Sequence, residues 1–117
     1  MPSVLIVDDH GSFRASARRL LELEGFAVLG EAADGQSAIA AAQQLEPDVV
    51  LLDVQLPDLD GFEVAARLAA VGSRATIVLT SSRDASAYGS LLADSPARAF
   101  IGKGELSGSA LAGLLPS

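Results

Sequence analysis

Short apolar runs alternate with segments of helical periodicity along this chain, and five of the runs are typical of β-strands. The runs at 3–7 (S-V-L-I-V) and 48–52 (D-V-V-L-L) are continuous rather than alternating, as in strands buried on both faces of a parallel sheet. Weaker runs at 27–30, 75–79 and 98–101 predict three further strands.

Helical spacing fills the intervals between these strands. Apolar residues recur every three or four positions after Gly11, Gly35, Gly61 and Glu105, which predicts amphipathic helices. We expect the helix at 61–70 to pack through Phe62, Ala65, Ala66 and Ala69. The last helix, 105–115, is expected to pack through Leu106, Ala110, Leu111 and Leu114.

The segment 82–93 is a poor helix candidate. It contains Tyr88, Gly89 and several serines, which have low helix propensity. We therefore expect this segment to be mobile and of low local stability.

The alternation of strands and helices predicts an α/β fold with a parallel sheet covered on both faces. Ligands of such sheets bind at the carboxyl ends of the strands. The residues that directly follow each apolar run are therefore the first candidates for chemistry.

Those residues are polar and specific. The first strand ends in Asp8-Asp9, the third in Asp53 and the fourth in Thr80, and the fifth leads to Lys103. Since the carboxyl ends of parallel strands share one edge of the sheet, we expect these side chains to meet there.

Three carboxylates in one pocket repel each other, which raises at least one pKa unless a cation lies among them. Hard oxygen ligands in an open cleft, with no histidine or cysteine expected nearby, favour Mg²⁺. Lys103 and the hydroxyl of Thr80 add a cation and a short donor for an anionic group. Together these residues predict an acceptor site for a phosphoryl group, with a carboxylate as nucleophile.

The composition of the chain excludes several classes of function. The chain has 117 residues, which corresponds to one domain, and its 15 acidic and 8 basic residues give a net charge of −7. The acid excess argues against direct binding to nucleic acid or anionic membrane. The absence of cysteine excludes disulfides and thiol nucleophiles. No apolar run approaches the ~20 residues of a membrane span, so we expect a cytoplasmic protein.

The motifs resemble those of response regulator receiver domains of two-component systems, over essentially the whole chain. The resemblance rests on V-L-I-V-D-D-H, on D-V-V-L-L-D-V-Q-L-P-D-L-D-G, on T-I-V-L-T-S and on F-I-G-K. The start D-D-H-x-x-F-R is similar to the subfamily that usually carries a C-terminal helix-turn-helix. The resemblance implies a flavodoxin-like (βα)5 three-layer sandwich whose five-stranded parallel sheet has the order 2-1-3-4-5.

The resemblance also implies roles for individual residues. Asp53 would accept the phosphoryl group from a sensor histidine kinase, with Lys103 bridging to the acyl phosphate. The Mg²⁺ ligands would be Asp8, Asp9, Asp53 and the backbone carbonyl of Gln55. Thr80 and Phe100 would switch together, Phe100 swinging inward as Thr80 moves toward the phosphate. Gln55 and Ser82 would tune dephosphorylation.

Two positions depart from the family pattern: Phe100 stands where tyrosine is commoner, and the residue after the lysine also differs. The lysine is usually followed by proline there, whereas Gly104 follows Lys103 in this sequence. Glycine imposes no fixed turn, so the lysine is expected to be loosely held, which affects switching more than phosphoryl acceptance.

Other interpretations remain open for several residues. Asp58-x-Asp60-Gly61 is similar to a phosphatase motif, although a cap at Asp60 and a turn at Gly61 are favoured. His10 is interpreted as a solvated residue at the start of the first helix, and Ser81 and Ser82 as parts of a polar loop. A receiver that signals without phosphorylation is the alternative function.

For the chain as a whole we expect one receiver domain over 1–117, with no output domain present. It would have no separate enzymatic substrate. A homodimer is possible, and DNA would be contacted only through an output domain outside this chain.

Overall fold

The two continuous apolar runs form the centre of the sheet. In a computed structural model that describes residues 1–115, strand β1 (Ser3–Val7) lies beside β3 (Val49–Asp53), and Val4 to Val7 and Val49 to Leu52 are fully buried. The other strands are β2 (Ala27–Ala32), β4 (Thr76–Ser81) and β5 (Ala99–Gly102). All neighbours are parallel and the order is β2-β1-β3-β4-β5, which confirms the flavodoxin-like α/β architecture.

Helices cover both faces of this sheet. They are α1 (Gly11–Leu23), α2 (Gly35–Leu45), α3 (Gly61–Ala70), α4 (Ser90–Asp94) and α5 (Gly108–Ala112), with 3₁₀ turns at Ala85–Ala87 and Lys103–Glu105. Because side chains alternate along a strand, the sheet separates two apolar layers. Leu5 and Val7 of β1 belong to the layer under α2 and α3, and Val4 and Ile6 to the layer with α1 and α5.

The packing face of α3 differs from the expected one. Val64, Ala65 and Leu68 are buried, whereas Ala66 and Ala69 are exposed. The larger side chains of α3 face the core because burying a valine or leucine removes more apolar area from water than burying an alanine does. The expected face was therefore wrong at Ala66 and Ala69.

The last helix begins later than expected. Ser107 is its N-cap and accepts a hydrogen bond from the N–H of Ala110 at 3.1 Å, so the segment from Lys103 to Glu105 stays a 3₁₀ turn. Leu111 is buried, and Leu106, Ala110 and Leu114 are half-buried. The inward face was predicted correctly and the helix start was not.

The segment at 82–93 is weakly helical, as its composition indicates. It holds a single 3₁₀ turn and the first residues of α4, a helix of five residues. Strand β4, in contrast, continues through Thr80 and Ser81, two residues beyond the predicted end, and this extension brings both side chains into the sheet.

Candidate functional site

The carboxyl edge of the sheet brings the predicted side chains together. Asp53 is the last residue of β3 and is paired in register with Thr80 of β4. Lys103 directly follows β5. Asp8 directly follows β1, and its N–H donates to the carbonyl of Ala32 at 3.0 Å. The sheet register therefore fixes the relative positions of these groups.

Four ligand groups form a cluster at this edge. One side-chain atom each from Asp8, Asp9, His10 and Asp53 lies within 4.8 Å of the others. Asp8 and Asp53 are buried, and Asp9 and His10 are exposed. A cluster that is open on one side and lined with carboxylates fits a hard cation that keeps part of its water shell.

His10 is exposed as predicted, but it contacts the acidic pair, so the expectation that no histidine lies near the carboxylates was wrong. Its Nδ1 lies 3.1 Å from Asp8 Oδ1 and 3.1 Å from Asp9 Oδ1, and its backbone N–H donates to Asp8 Oδ1 at 2.9 Å. The side chain is 64 % exposed. We interpret these contacts as orienting the acidic pair at the start of α1.

Lys103 partly balances the carboxylates. Its ammonium lies 2.7 Å from Asp8 Oδ2 and 3.4 Å from Asp53 Oδ2, and only 17 % of the side chain is exposed. Three carboxylates and one ammonium leave an excess of negative charge, which a divalent cation would offset.

The surroundings of Asp53 shift its pKa in opposing directions, with a net increase. Desolvation and the negative charge of Asp8 raise its pKa, and this effect exceeds that of the Gln55 N–H, which donates at 3.2 Å, and of Lys103. Burial lowers the pKa of Lys103, but its contacts with Asp8 and Asp53 outweigh burial and raise the pKa overall. The expected pKa increase in the carboxylate cluster is found at Asp53.

Thr80 carries a buried hydroxyl without a hydrogen-bond partner in the described part of the chain. The residue is fully buried and its Oγ1 contacts no donor or acceptor there. An unsatisfied buried hydroxyl costs about 1–3 kcal/mol. Thr80 stands beside Asp53 in the sheet, so an oxygen-rich group bound at Asp53 would give this hydroxyl an acceptor.

Ser81 is part of the sheet and not of a polar loop, which corrects the prediction. It is only 1 % exposed, its Oγ lies 2.6 Å from the Tyr88 hydroxyl, and it accepts from the Arg83 N–H at 3.0 Å. Strand β4 continues through Ser81, which pairs with Gly102 of β5, and Tyr88 satisfies the buried hydroxyl of Ser81. Ser82 is exposed, as expected for a loop residue.

Tyr88 is a contact that the sequence reasoning missed. Its ring lies 5.9 Å from that of Phe100 and 5.6 Å from that of Phe62, both in tilted or edge geometry. Its position in a segment of weak helical pattern gave no indication of burial. Tyr88 is the only tyrosine of the sequence and follows Ser81 by seven residues. This position was the only indication in the sequence of a contact between the two hydroxyls. Phe100 is half-buried beneath this ring.

Arg14 was also missed as a support of the site. Its Nη1 donates to the backbone carbonyl of Asp8 at 2.6 Å and its Nε to Glu31 Oε1 at 3.1 Å. Hydrogen bonding by Arg18 lowers the pKa of Glu31, with further contributions from Arg14. The position of Arg14 one helical turn after His10 could have indicated the contact.

Asp58 and Asp60 serve as helix caps. Asp60 Oδ1 accepts from the N–H of Glu63 at 2.8 Å, as predicted for a cap of α3. Asp58 accepts from the N–H groups of Gly35 at 2.7 Å and Gln36 at 3.0 Å, which are the first residues of α2. Neither residue belongs to the four-residue ligand cluster.

Gly61 is required by a close backbone approach. A Cβ there would lie 2.5 Å from the carbonyl oxygen of Asp53. The N–H of Gly61 donates to the carbonyl of Val54 at 2.7 Å, so the loop after β3 closes directly against the strand end. Gln55, exposed in this loop, lies two residues beyond Asp53.

No helix in the described range 1–115 combines the length and apolar character that a membrane crossing requires.

Comparison with known proteins gives a family match. The family model described as the response regulator receiver domain matches residues 4–110. BvgA of Bordetella pertussis is 37 % identical over 102 residues, which cover 87 % of this chain and 49 % of that protein. The DNA-binding transcriptional activator EvgA of Escherichia coli K12 is 32 % identical over 103 residues, 88 % of this chain and 50 % of that protein. The chain spans about half the length of these curated relatives.

Solved structures match over nearly the whole chain. The signal receiver domain of NarL from Mycobacterium tuberculosis has a TM-score of 0.87 and 32 % identity, covering 97 % of this chain and 95 % of that chain. A two-component response regulator of the LuxR family from Aurantimonas has a TM-score of 0.87 and 28 % identity, with coverages of 97 % and 85 %.

Proposed function

This chain belongs to the response regulator receiver domain family, and from that premise we propose that it accepts a phosphoryl group on Asp53 and changes conformation in response. The observation that carries the proposal is the buried contact of Asp53 Oδ2 with the Lys103 ammonium, 3.4 Å away, inside a carboxylate cluster. A buried nucleophile beside a fixed cation is suited to phosphoryl transfer.

In the proposed transfer, a carboxylate oxygen of Asp53 attacks the phosphorus of a phosphohistidine on a sensor histidine kinase. The new O–P bond forms as the N–P bond breaks, and the electron pair of that bond returns to the ring nitrogen. Because the other ring nitrogen of the phosphohistidine carries a proton, the imidazole leaves as the neutral base. Lys103 offsets the charge on the phosphoryl oxygens, because its ammonium already lies at the Asp53 carboxylate. The product is an aspartyl phosphate.

Mg²⁺ is the proposed cofactor. Asp8, Asp9 and Asp53 would hold it, together with the backbone carbonyl of Gln55. The carboxylate excess of the cluster supports this assignment, and Mg²⁺ would supply charge neutralisation at the phosphoryl oxygens.

We assign the switch to Thr80 and Phe100. The buried hydroxyl of Thr80 has no partner in the described residues, so contact with a phosphoryl oxygen would satisfy it and favour a second conformation. Phe100 would then move into space that Thr80 leaves. Gln55 and Ser82, both exposed beyond their strands, would control access of the water that hydrolyses the aspartyl phosphate.

The output is proposed to be transcriptional. EvgA is a DNA-binding transcriptional activator, and this chain matches half of its length. In the present protein, an output domain outside this chain would supply the DNA contact. We further propose that residues 1–117 form one receiver domain. This domain has no separate enzymatic substrate and acts in the cytoplasm, and two copies of it can form a homodimer.

Intact-mass measurement tests the proposal. The protein is incubated with Mg²⁺ and a small phosphoramidate donor, alongside Asp53→Asn and Asp94→Asn, the latter removing an exposed acid at the end of α4. A single phosphate adduct is expected in the wild type and in Asp94→Asn, and no adduct is expected in Asp53→Asn.

Two other results would contradict the proposal. Absence of an adduct at saturating donor would favour a module that signals by protein contacts without phosphorylation. Steady release of inorganic phosphate that is lost in Asp58→Asn would favour a phosphatase.

A further inference from the structure

Lys103 lies where the chain leaves strand β5 and enters a 3₁₀ turn, and neither of its chain neighbours has a side chain that could support it. It is flanked by Gly102 and Gly104, and a Cβ at Gly104 would meet nothing within 4 Å. Glycine gives the chain the widest conformational freedom. The side chain nevertheless lies in the site, only 17 % exposed, so other contacts must hold it.

Three groups surround its ammonium. Asp8 Oδ2 lies at 2.7 Å and Asp53 Oδ2 at 3.4 Å. The third is the ring of Phe13 in the first turn of α1, over which Nζ lies 4.6 Å from the centroid. This distance is within the range of a cation–π interaction, which strengthens as the cation loses water.

The ring differs from the two carboxylates in what can displace it. A divalent cation bound to Asp8 and Asp53 would compete with the ammonium for their oxygens. Phosphorylation of Asp53 would replace its carboxylate contact. An aromatic ring offers no oxygen ligand to a hard cation, so the contact with Phe13 is independent of both events.

The position of Phe13 on α1 makes this contact stable. The ring is half-buried and packs against the apolar layer that includes Ala17 and Leu21 of the same helix. The ring face is therefore oriented by the core of the protein, and Lys103 lies against a fixed surface.

We propose that Phe13 is a positioning residue for Lys103: the Phe13 ring holds the ammonium at the Asp53 carboxylate, where the flanking Gly102 and Gly104 have no side chains to support the lysine. The consequence for phosphoryl transfer rests on the proposed function, whereas the contact itself does not.

Nuclear magnetic resonance tests the contact directly. Lys103 is the only lysine of the sequence, so ¹³C-labelled lysine gives one ε-methylene signal. The ring current of Phe13 is expected to shift these protons upfield in the wild type and in Phe13→Tyr. In Phe13→Leu and Phe13→Met they are expected to return toward the values of a free lysine. An unchanged shift in the aliphatic variants would overturn the proposal.

Kinetics test the consequence. The rate of phosphate adduct formation with Mg²⁺ and a phosphoramidate is expected to fall about fivefold to thirtyfold in Phe13→Leu and Phe13→Met, and to stay within about twofold of the wild type in Phe13→Tyr. Phe62→Leu is the matched control, since it removes another half-buried ring that faces Tyr88.

The outcomes separate the two claims. Equal rates in Phe13→Leu and Phe62→Leu, in variants that melt cooperatively, would overturn the positioning role. If Phe13→Leu fails to fold, the comparison of Phe13→Met with Phe13→Tyr decides it. If the wild type forms no adduct, the proposed function fails, and the lysine signal still decides whether Phe13 holds Lys103.

Discussion

Asp53 lies in surroundings that disfavour its own charge. Desolvation and the neighbouring Asp8 raise its pKa despite the contact with Lys103. A carboxyl group whose pKa is raised on folding destabilises the folded state at any pH above its unfolded pKa. Nucleophilic reactivity and stability are therefore opposed at this residue.

Replacing Asp53 by asparagine is expected to stabilise the protein without Mg²⁺ at neutral pH. The amide keeps the shape and removes the buried charge. Well below the ordinary aspartate pKa of about 3.9, the carboxyl is protonated in both folded and unfolded states, so the gain should be smallest there. It should grow as the pH rises from that value to the raised pKa of Asp53 and then level off. Urea unfolding from about pH 3.5, near ordinary carboxyl pKa values, up to neutral pH measures the gain. A variant less stable than the wild type at pH 7 would contradict this account.

Thr80 and Ser81 are adjacent buried hydroxyls with opposite expected effects. Thr80→Val removes a hydroxyl that has no hydrogen-bond partner among residues 1–115 and should raise the free energy of unfolding by about 1–3 kcal/mol. Ser81→Ala removes a hydroxyl that contacts Tyr88 at 2.6 Å and should lower it by about 0.5–1.5 kcal/mol. Urea titration of both variants and the wild type measures the two changes in the free energy of unfolding. A loss of stability in Thr80→Val would mean that its hydroxyl is already satisfied.

At the scale of elements, Asp58 connects the loop after β3 to the start of α2. Its carboxylate accepts from the N–H groups of Gly35 and Gln36. Such bonds, together with the helix dipole, favour an anion there. The hydrogen bond from Gly35 is the main cause that lowers the pKa of Asp58.

Asp58→Asn should therefore destabilise the protein at neutral pH. A carboxyl whose pKa is lowered on folding contributes stability above its unfolded pKa, and this contribution is lost as the pH falls through the folded value. Thermal melts of Asp58→Asn and the wild type should differ at neutral pH and converge as the pH falls through the lowered pKa of Asp58. The control Asp94→Asn should have the same melting temperature as the wild type at every pH. A melting-temperature difference between Asp58→Asn and the wild type that does not change with pH would contradict an electrostatic origin of the effect.

The elements also show which features a sequence pattern can predict. The strands at 3–7 and 48–52 were recognisable because a strand buried on both faces needs an unbroken apolar run. The face of α3 was wrong at Ala66 and Ala69, since alanine is compatible with core and surface alike. The start of α5 was wrong because the cap at Ser107 depends on one side-chain hydrogen bond.

At the scale of the whole molecule, the candidate site follows from topology. Asp8, Asp53 and Thr80 could be predicted because each lies at the end of a strand run, and a parallel sheet brings such ends to one edge. Arg14 and Tyr88 could not, because their contacts depend on how a helix and a weakly patterned segment dock on that edge. The sequence therefore predicts which side chains lie in the candidate site better than it predicts the neighbouring contacts that position them.

Mg²⁺ should stabilise the whole domain. A cation at the carboxylate cluster offsets the repulsion among Asp8, Asp9 and Asp53 and binds only the folded chain, so the melting temperature should rise with Mg²⁺ concentration. Thermal scans at constant ionic strength measure this, and the rise should shrink in Asp9→Asn. An equal rise in that variant would place the cation elsewhere.

Chemical trapping of the phosphorylated residue tests the central claim most directly. The protein is phosphorylated with Mg²⁺ and a phosphoramidate, reduced with borohydride, which converts an aspartyl phosphate to homoserine, and mapped by tandem mass spectrometry. This account predicts homoserine at position 53 in the wild type and none without Mg²⁺ or donor. Homoserine at any other aspartate, or an adduct on His10, Ser81 or Ser82 with Asp53 unmodified, would contradict it.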